Sequence, residues 1–306
     1  MANVKTALPV VAQLEIRKHS PSFWESALRA VLRDRLTLAA IIILVAMTLI
    51  CIFAPPIVEN VLQVDPERTN ALDRFLLPGD KGHVLGTDQV GRDQFIRLLY
   101  GGRVSLAIAY FGSVAGIAIG VTLGLIAGYF GGIVDDLISW FINTLSSIPA
   151  IFLLILAAAI WSPSPTILVA LLAAFGWITT CRLVRAEVLT LKERDFITAV
   201  RAMGASHWHI IASHLFPNVF SLVVVALTIS AGSLILVESG LSFLGLGVQP
   251  PTPSWGNMLT NARTFLVKGV HLIVWPGALI TFTVLCFYVV GDGLRDALDP
   301  RTSRKS

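Results

Sequence analysis

Six stretches of this chain contain no Asp, Glu, Lys or Arg: residues 36–54, 104–130, 137–161, 162–181, 215–237 and 270–290. One such run could be a buried helix of a soluble domain, but six in 306 residues exclude an ordinary soluble fold. Runs of about 20 helical residues, rising ~1.5 Å each, cross the ~30 Å hydrocarbon core of a bilayer. Cysteine is scarce as well. Cys51, Cys181 and Cys286 all lie inside the uncharged runs, which excludes a disulfide framework and leaves them as small packing residues. No G-x-x-x-x-G-K-[ST] phosphate loop, H-E-x-x-H helix or nucleophile elbow occurs, and no carboxylate pair sits within a run. The chain therefore has no machinery of its own for nucleotide hydrolysis, zinc chemistry or intramembrane proteolysis. Its formal charge of +4 comes without a basic face interleaved with aromatic residues, so nucleic acid is not an expected partner.

What is present is apolar: 55% hydrophobic residues, 14% charged ones, and a mean hydropathy of +0.77. The first run begins only at Leu36 and no small-residue cleavage site follows it, so it reads as a span, with no cleaved signal peptide expected. Six spans put both termini on one side. With the N-terminus inside, that side carries Lys5, Arg17, Lys18, Arg29, Arg33, Arg35, Arg182, Arg185, Lys192, Arg194, Arg201, Arg295, Arg301, Arg304 and Lys305. These fifteen face six basic residues in the 55–103 loop and two in the 238–269 loop, so both ends are expected in the cytoplasm. The organisation follows: residues 1–35 and 293–306 cytoplasmic, 36–54 a first span, 55–103 an outer loop with an interfacial helix, and 104–292 a five-helix core with a cytoplasmic loop at 182–214.

That loop is the most informative segment. Glu193 to Met203 lacks Pro and Gly and is rich in helix formers, and Asp195 can cap a first turn. Gly204 suits a left-handed C′ position. Ser206 can cap a second helix through His207–Phe216, with Pro217 and Asn218 marking the next span. The result is a rigid elbow whose Phe196, Ile197, Val200 and Met203 offer apolar knobs and Arg201 a charge. It could dock in a groove of another protein or lie on the inner leaflet. His207, His209 and His214 do not share a helical face, and no Cys or carboxylate completes a metal shell.

The loop resembles the so-called EAA loop of bacterial ABC importer permeases. Asp195, Phe196, Thr198, Ala199, Arg201, Gly204, Ala205 and Ser206 fall in step with the D-[FY]-[VI]-T-A-x-R-A-x-G-A-S form of dipeptide and oligopeptide permeases, followed by His214, Leu215 and Pro217. The Glu-Ala-Ala places themselves read Thr198, Ala199 and Val200. The likeness continues along Leu85-Gly86-Thr87-Asp88-Gln89-Val90-Gly91-Arg92-Asp93, where a turn cluster precedes a short helix from Gln94. There Arg97 and Arg103 are expected to snorkel at the outer interface. It extends through Gly128-Tyr129-Phe130-Gly131-Gly132 with Asp135, and through Glu238 with the following Leu241-Ser242-Phe243-Leu244-Gly245-Leu246-Gly247. Pro250-Pro251-Thr252-Pro253-Ser254-Trp255-Gly256 and Gly291–Arg301 close it. The chain departs where family members commonly carry Arg and Asp three apart: here stand Trp140 and Asn143.

The resemblance implies an all-α permease of six transmembrane helices with a coupling helix (the type I importer fold). It implies ATPase coupling through Asp195, Phe196, Thr198, Ala199, Val200, Arg201, Met203, Gly204, Ala205 and Ser206. The implied partners are a second permease, two ATPase subunits that use ATP and Mg, and an extracytoplasmic solute-binding protein; this chain binds no cofactor or metal. Gly112, Gly116, Gly120, Gly124 and Gly128 form a smooth stripe at every fourth residue, for packing within the chain or against the partner permease. Glu238 at a membrane edge, with Trp255, is an outer gate or a loop anchor. Di- and oligopeptides are the expected solutes, with nickel, glutathione or another small solute as alternatives. A stand-alone carrier or channel would need ionisable groups or a filter loop within its spans. A non-transporting scaffold would not need the glycine-hinged elbow.

Overall fold

The computed structural model describes residues 23–60, 68–161 and 164–298; Lys5, Arg17, Lys18, Arg301, Arg304 and Lys305 lie outside them. Asp93 starts the longest element. Its carboxylate accepts from the Ile96 amide at 3.0 Å, and α3 (Gln94–Phe130) then runs 37 residues, about 54 Å. The sequence suggested a short helix followed by a separate span. Instead Gly101 and Gly102 stay helical, because the Trp255 indole and the Ser254 backbone press against them: a Cβ on Gly102 would stand 2.7 Å from the indole. α3 stops at Gly131 and Gly132, both with positive φ.

α1 (Phe23–Arg33) and α2 (Arg35–Asn60) precede it. The span expected at 137–161 is broken into α4 (Gly132–Ser146) and α5 (Ala150–Ile160), bent by 79°. Pro149 explains the break, since it disfavours helical Ile148 and sits at the N-cap of α5. α6 (Pro165–Leu191) has Ser164 as N-cap and Pro165 in its first turn, and it continues ten residues past the expected boundary at 181. The elbow follows as α7 (Asp195–Ala202) and α8 (His207–Ile210), and a π-turn at Ile211–Leu215 leads into α9 (Phe216–Phe243). The boundary expected at Pro217 and Asn218 does not interrupt the helix. Pro217 lacks an amide donor; the π-turn absorbs it, and the Asn218 side chain takes the His214 carbonyl at 2.6 Å. α10 (Ala262–Lys268) and α11 (His271–Leu298) complete the chain.

Among the described residues there is no strand, only an isolated bridge between Thr87 and Asp93. Among the described residues five helices are long and apolar enough to cross a membrane, six if the bent pair counts as one span. α3 is the central post, packed along α6 on one side and α9 on another, while α11 closes against α9 and α2. The glycine stripe faces α6. A Cβ on Gly120 would stand 2.6 Å from the Trp177 carbonyl oxygen, one on Gly124 2.8 Å from that of Cys181, and one on Gly128 2.7 Å from Val188 Cβ. The stripe is thus filled from within the chain, with backbone approaching backbone.

Candidate functional site

At one end of the bundle the elbow is built from a helix stop and a cap. The Gly204 amide donates to Arg201 O (3.0 Å) and the Ala205 amide to Val200 O (3.4 Å), with Gly204 at φ +82°. That is a Schellman arrangement, which a Cβ-bearing residue would strain. Ser206 Oγ then accepts from the His209 amide at 3.3 Å. Asp195 is not the cap: Arg194 holds that position, and Asp195 lies in the first turn, where its charge favours the helix dipole.

The elbow is one body with the bundle. Ile197, Ile210, Ile211 and Leu215 are buried in a cluster with Val184 and Val188 of α6 and Leu125 and Tyr129 of α3; Val200 packs against it. Ile197 and Val200 are therefore not available as outward knobs. The residues left outside are Phe196, Met203 and Trp208, with Met203 78% exposed. Thr198, Ala199, Arg201, Gly204 and Ser206 are also exposed, and Ala205 is half-buried.

Sequence reasoning missed how the elbow is pinned. The Tyr129 hydroxyl and His207 Nδ1 share a hydrogen bond at 2.8 Å, Arg201 lies over the Tyr129 ring at 5.7 Å, and Phe130 meets Trp208 edge-on. His207 is thus turned toward α3, while His209 and His214 face each other at 5.6 Å between centroids. A second tie is the Asp135–Arg185 ion pair from α4 to α6, in which Arg185 Nη2 donates to Asp135 at 2.6 Å. At the two positions where the sequence departs from the pattern it resembles, Asn143 accepts from Arg182 at 3.3 Å and Trp140 is 66% exposed. Beside the elbow a concavity of about 610 Å³ opens between α6, α9 and α11, walled by Leu222, Val225, Ala226 and Ile229, with Glu187, Asn218 and Arg295 among its polar groups.

The opposite end holds Glu238, fully buried within α9, not at its end. Ser105 Oγ donates to one carboxylate oxygen at 3.1 Å and Ser242 Oγ to the other at 2.7 Å. Each hydroxyl in turn accepts a loop amide: Trp255 N on Ser105 and Val248 N on Ser242, both at 3.1 Å. Two relays therefore fasten the 244–256 loop to α3 and α9 through one carboxylate. Trp255, also fully buried, donates its indole N–H to Leu98 O at 2.9 Å. The serines could have been suspected from the sequence, since a buried carboxylate without a cation needs hydroxyl or amide donors. Arg97, expected to snorkel, is buried instead and stands 3.6 Å from Asp88, which also binds Arg92 and caps its own turn. Arg103 is exposed.

Comparison with known proteins places this arrangement. Residues 120–304 match the family described as binding-protein-dependent transport system inner membrane component, and residues 22–78 match the N-terminal TM domain of oligopeptide transport permease C. The dipeptide transport system permease protein DppC of Alkalihalophilus pseudofirmus is 38% identical, covering 91% of this chain and 90% of its own length. The glutathione transport system permease protein GsiD of Pectobacterium atrosepticum is also 38% identical, over 96% of this chain and 95% of its own. The oligopeptide transport system permease protein OppC of Haemophilus influenzae is 35% identical, over 94% and 91%. A chain from inward-facing crystals of the MetNI methionine ABC transporter superposes with a TM-score of 0.54 at 22% identity, covering 67% of this chain and 97% of its own. The last likeness shows the fold.

Proposed function

The chain belongs to the family of binding-protein-dependent transport system inner membrane components, and from that premise we propose that it carries di- or oligopeptides inward as one of two permease subunits of an ATP-driven importer. Two ATPase subunits use ATP and Mg and drive it through the 193–216 loop. An extracytoplasmic binding protein delivers the solute, and both termini lie in the cytoplasm. The chain itself performs no chemistry on the solute.

The observation that carries this reading is the construction of the elbow. Its buried side is continuous with α3, α6 and α9, while Phe196 and Met203 are left exposed, as is most of Trp208, whose ring edge also meets Phe130. A partner that moves those side chains moves packed helices with them, since interlocked cores shift as bodies. The helix that would turn most directly is α9, which is continuous with the elbow and also walls the 610 Å³ concavity. We assign that concavity to this chain's half of the solute path on the cytoplasmic side. Its wall is mostly apolar, with one amide (Asn218), one hydroxyl (Ser221), one carboxylate (Glu187) and one guanidinium (Arg295). Charges of both signs on an apolar wall suit a peptide with its two charged ends better than a bare metal ion, which a single carboxylate does not hold.

Glutathione is the second reading, favoured by the 38% identity to a glutathione permease. The test is purification in mild detergent with retained subunits, reconstitution with the co-purifying binding protein, and ATP-dependent uptake of labelled dipeptides, longer peptides, glutathione and nickel. Peptide uptake that requires ATP is the expected result. Uptake of glutathione alone would select the second reading. A chain that purifies alone and passes solute without ATP would overturn the importer assignment.

A further inference from the structure

α1 has an exposed apolar side that the transport reading does not use. It packs beside α11 and α2, and among its described side chains Ala27 and Val31 are buried. Leu28 and Leu32, one turn apart, are left 60% and 54% exposed. Beyond them Glu25, Arg29 and Arg33 make a charged side, with Arg29 3.5 Å from Glu25. Such division into apolar and charged faces belongs to helices that lie in a membrane surface.

The junction with α2 fixes where α1 sits. Asp34 caps α2 by accepting from the Leu36 amide at 3.1 Å and the Thr37 amide at 3.3 Å. Thr37 is buried so tightly against Gly293 of α11 that a Cβ there would overlap it. α1 is thereby held where the apolar run of α2 begins, at the elbow end of the bundle. Arg33 and Arg35 are exposed at that boundary. The segment before it adds Lys5, Arg17 and Lys18 against Glu15, so positive charge prevails there.

We propose that α1 is an interfacial anchor lying in the inner leaflet, with Leu28 and Leu32 among the acyl chains and Arg29, Arg33 and Arg35 on anionic phospholipid headgroups. An apolar flank beside a charged one, at the foot of a spanning helix, is complementary to that surface in both respects. The inference needs only that α2 spans the membrane, and is independent of the solute and of the ATPases.

The experiment places nitroxides through Leu28→Cys, Leu32→Cys and Ala30→Cys, the last exposed on the opposite flank of α1. The full chain, with any retained subunits, is placed in nanodiscs of phosphatidylcholine alone or mixed with phosphatidylglycerol, and collisions with oxygen and with a water-soluble nickel chelate are compared. Positions 28 and 32 should favour oxygen and position 30 the chelate, with deeper burial at 28 when phosphatidylglycerol is present. Arg29→Glu with Arg33→Glu should abolish that lipid dependence, and Arg29→Lys with Arg33→Lys should retain it. Chelate access at 28 and 32 equal to that at 30 would overturn the anchor. Protection of 28 and 32 from both reagents would overturn it in favour of a covering polypeptide. Equal depth in the two lipids would overturn the headgroup contact.

Discussion

Replacing Gly120 by alanine puts one methyl group where the chain has no room for it. The added Cβ would lie 2.6 Å from the Trp177 carbonyl oxygen, 2.8 Å from Thr180 Cβ and 3.1 Å from the Cys181 amide nitrogen. Two of the three are helix backbone, so no rotamer change relieves them, and α6 must retreat by roughly 0.8 Å to restore ordinary contact. Retreat on that scale forfeits about a quarter to a half of the dispersion energy at the neighbouring contacts. Overpacking of this kind costs about 1–3 kcal/mol. Gly124→Ala and Gly128→Ala should each cost a similar amount. The triple variant should cost well under three times as much, because one separation of the helices relieves all three. Gly176→Ala is the control: nothing lies within 4 Å of its Cβ, so it should be neutral or gain up to about 1 kcal/mol from helix propensity. Cys181 is fully buried on this seam, and with Cys51 and Cys286 replaced by alanine its reaction with a thiol dye on heating reports the opening. A midpoint for Gly120→Ala equal to that of the parent and of Gly176→Ala would refute the seam.

The elbow yields two further expectations. Gly204→Asn, which tolerates the left-handed region, should keep most transport, whereas Gly204→Val should insert normally, lose about 1–2 kcal/mol at the turn and lose transport; φ is +82° with open space around the Cβ, so only backbone strain is at issue. Tyr129→Phe keeps the ring but removes the bond to His207, worth about 0.5–1.5 kcal/mol, and should lower solute moved per ATP hydrolysed more than it lowers the melting temperature; an unchanged ratio contradicts the pin. At the other end, Glu238→Gln keeps one acceptor but turns the second position into a donor. One serine relay is then lost at about 1–3 kcal/mol, and amide exchange should rise at Val248 or Trp255; unchanged exchange at both would count against the relays.

Much of the fold was legible because uncharged length is a coarse signal and the bilayer reads it coarsely. The elbow was legible too, since Gly204 and Ser206 act through local backbone geometry that sequence neighbours determine. Helix ends were harder. Gly101-Gly102 looks like a break until Trp255, about 150 residues away, is seen to occupy the space; Pro217 looks like a boundary until the π-turn absorbs it. The same holds for side-chain orientation. Ile197 and Val200 read as outward knobs because a short helix has two sides, and only the packing of α6 and α9 decides which is inward. Long-range partners such as Tyr129 with His207, Asp135 with Arg185 and Glu238 with Ser105 leave no spacing signature, since each joins helices far apart in the chain.

The central claim is that the exposed side of the elbow meets an ATPase. A photo-crosslinking amino acid in place of Met203, which stands 78% exposed on that side, tests it within the purified assembly. The expected result is a crosslinked product containing this chain and an ATPase subunit, with a yield that changes between ATP-bound and ADP-bound states. Crosslinks to lipid alone, in an assembly that still holds its ATPases, would contradict it and leave the elbow resting on the membrane.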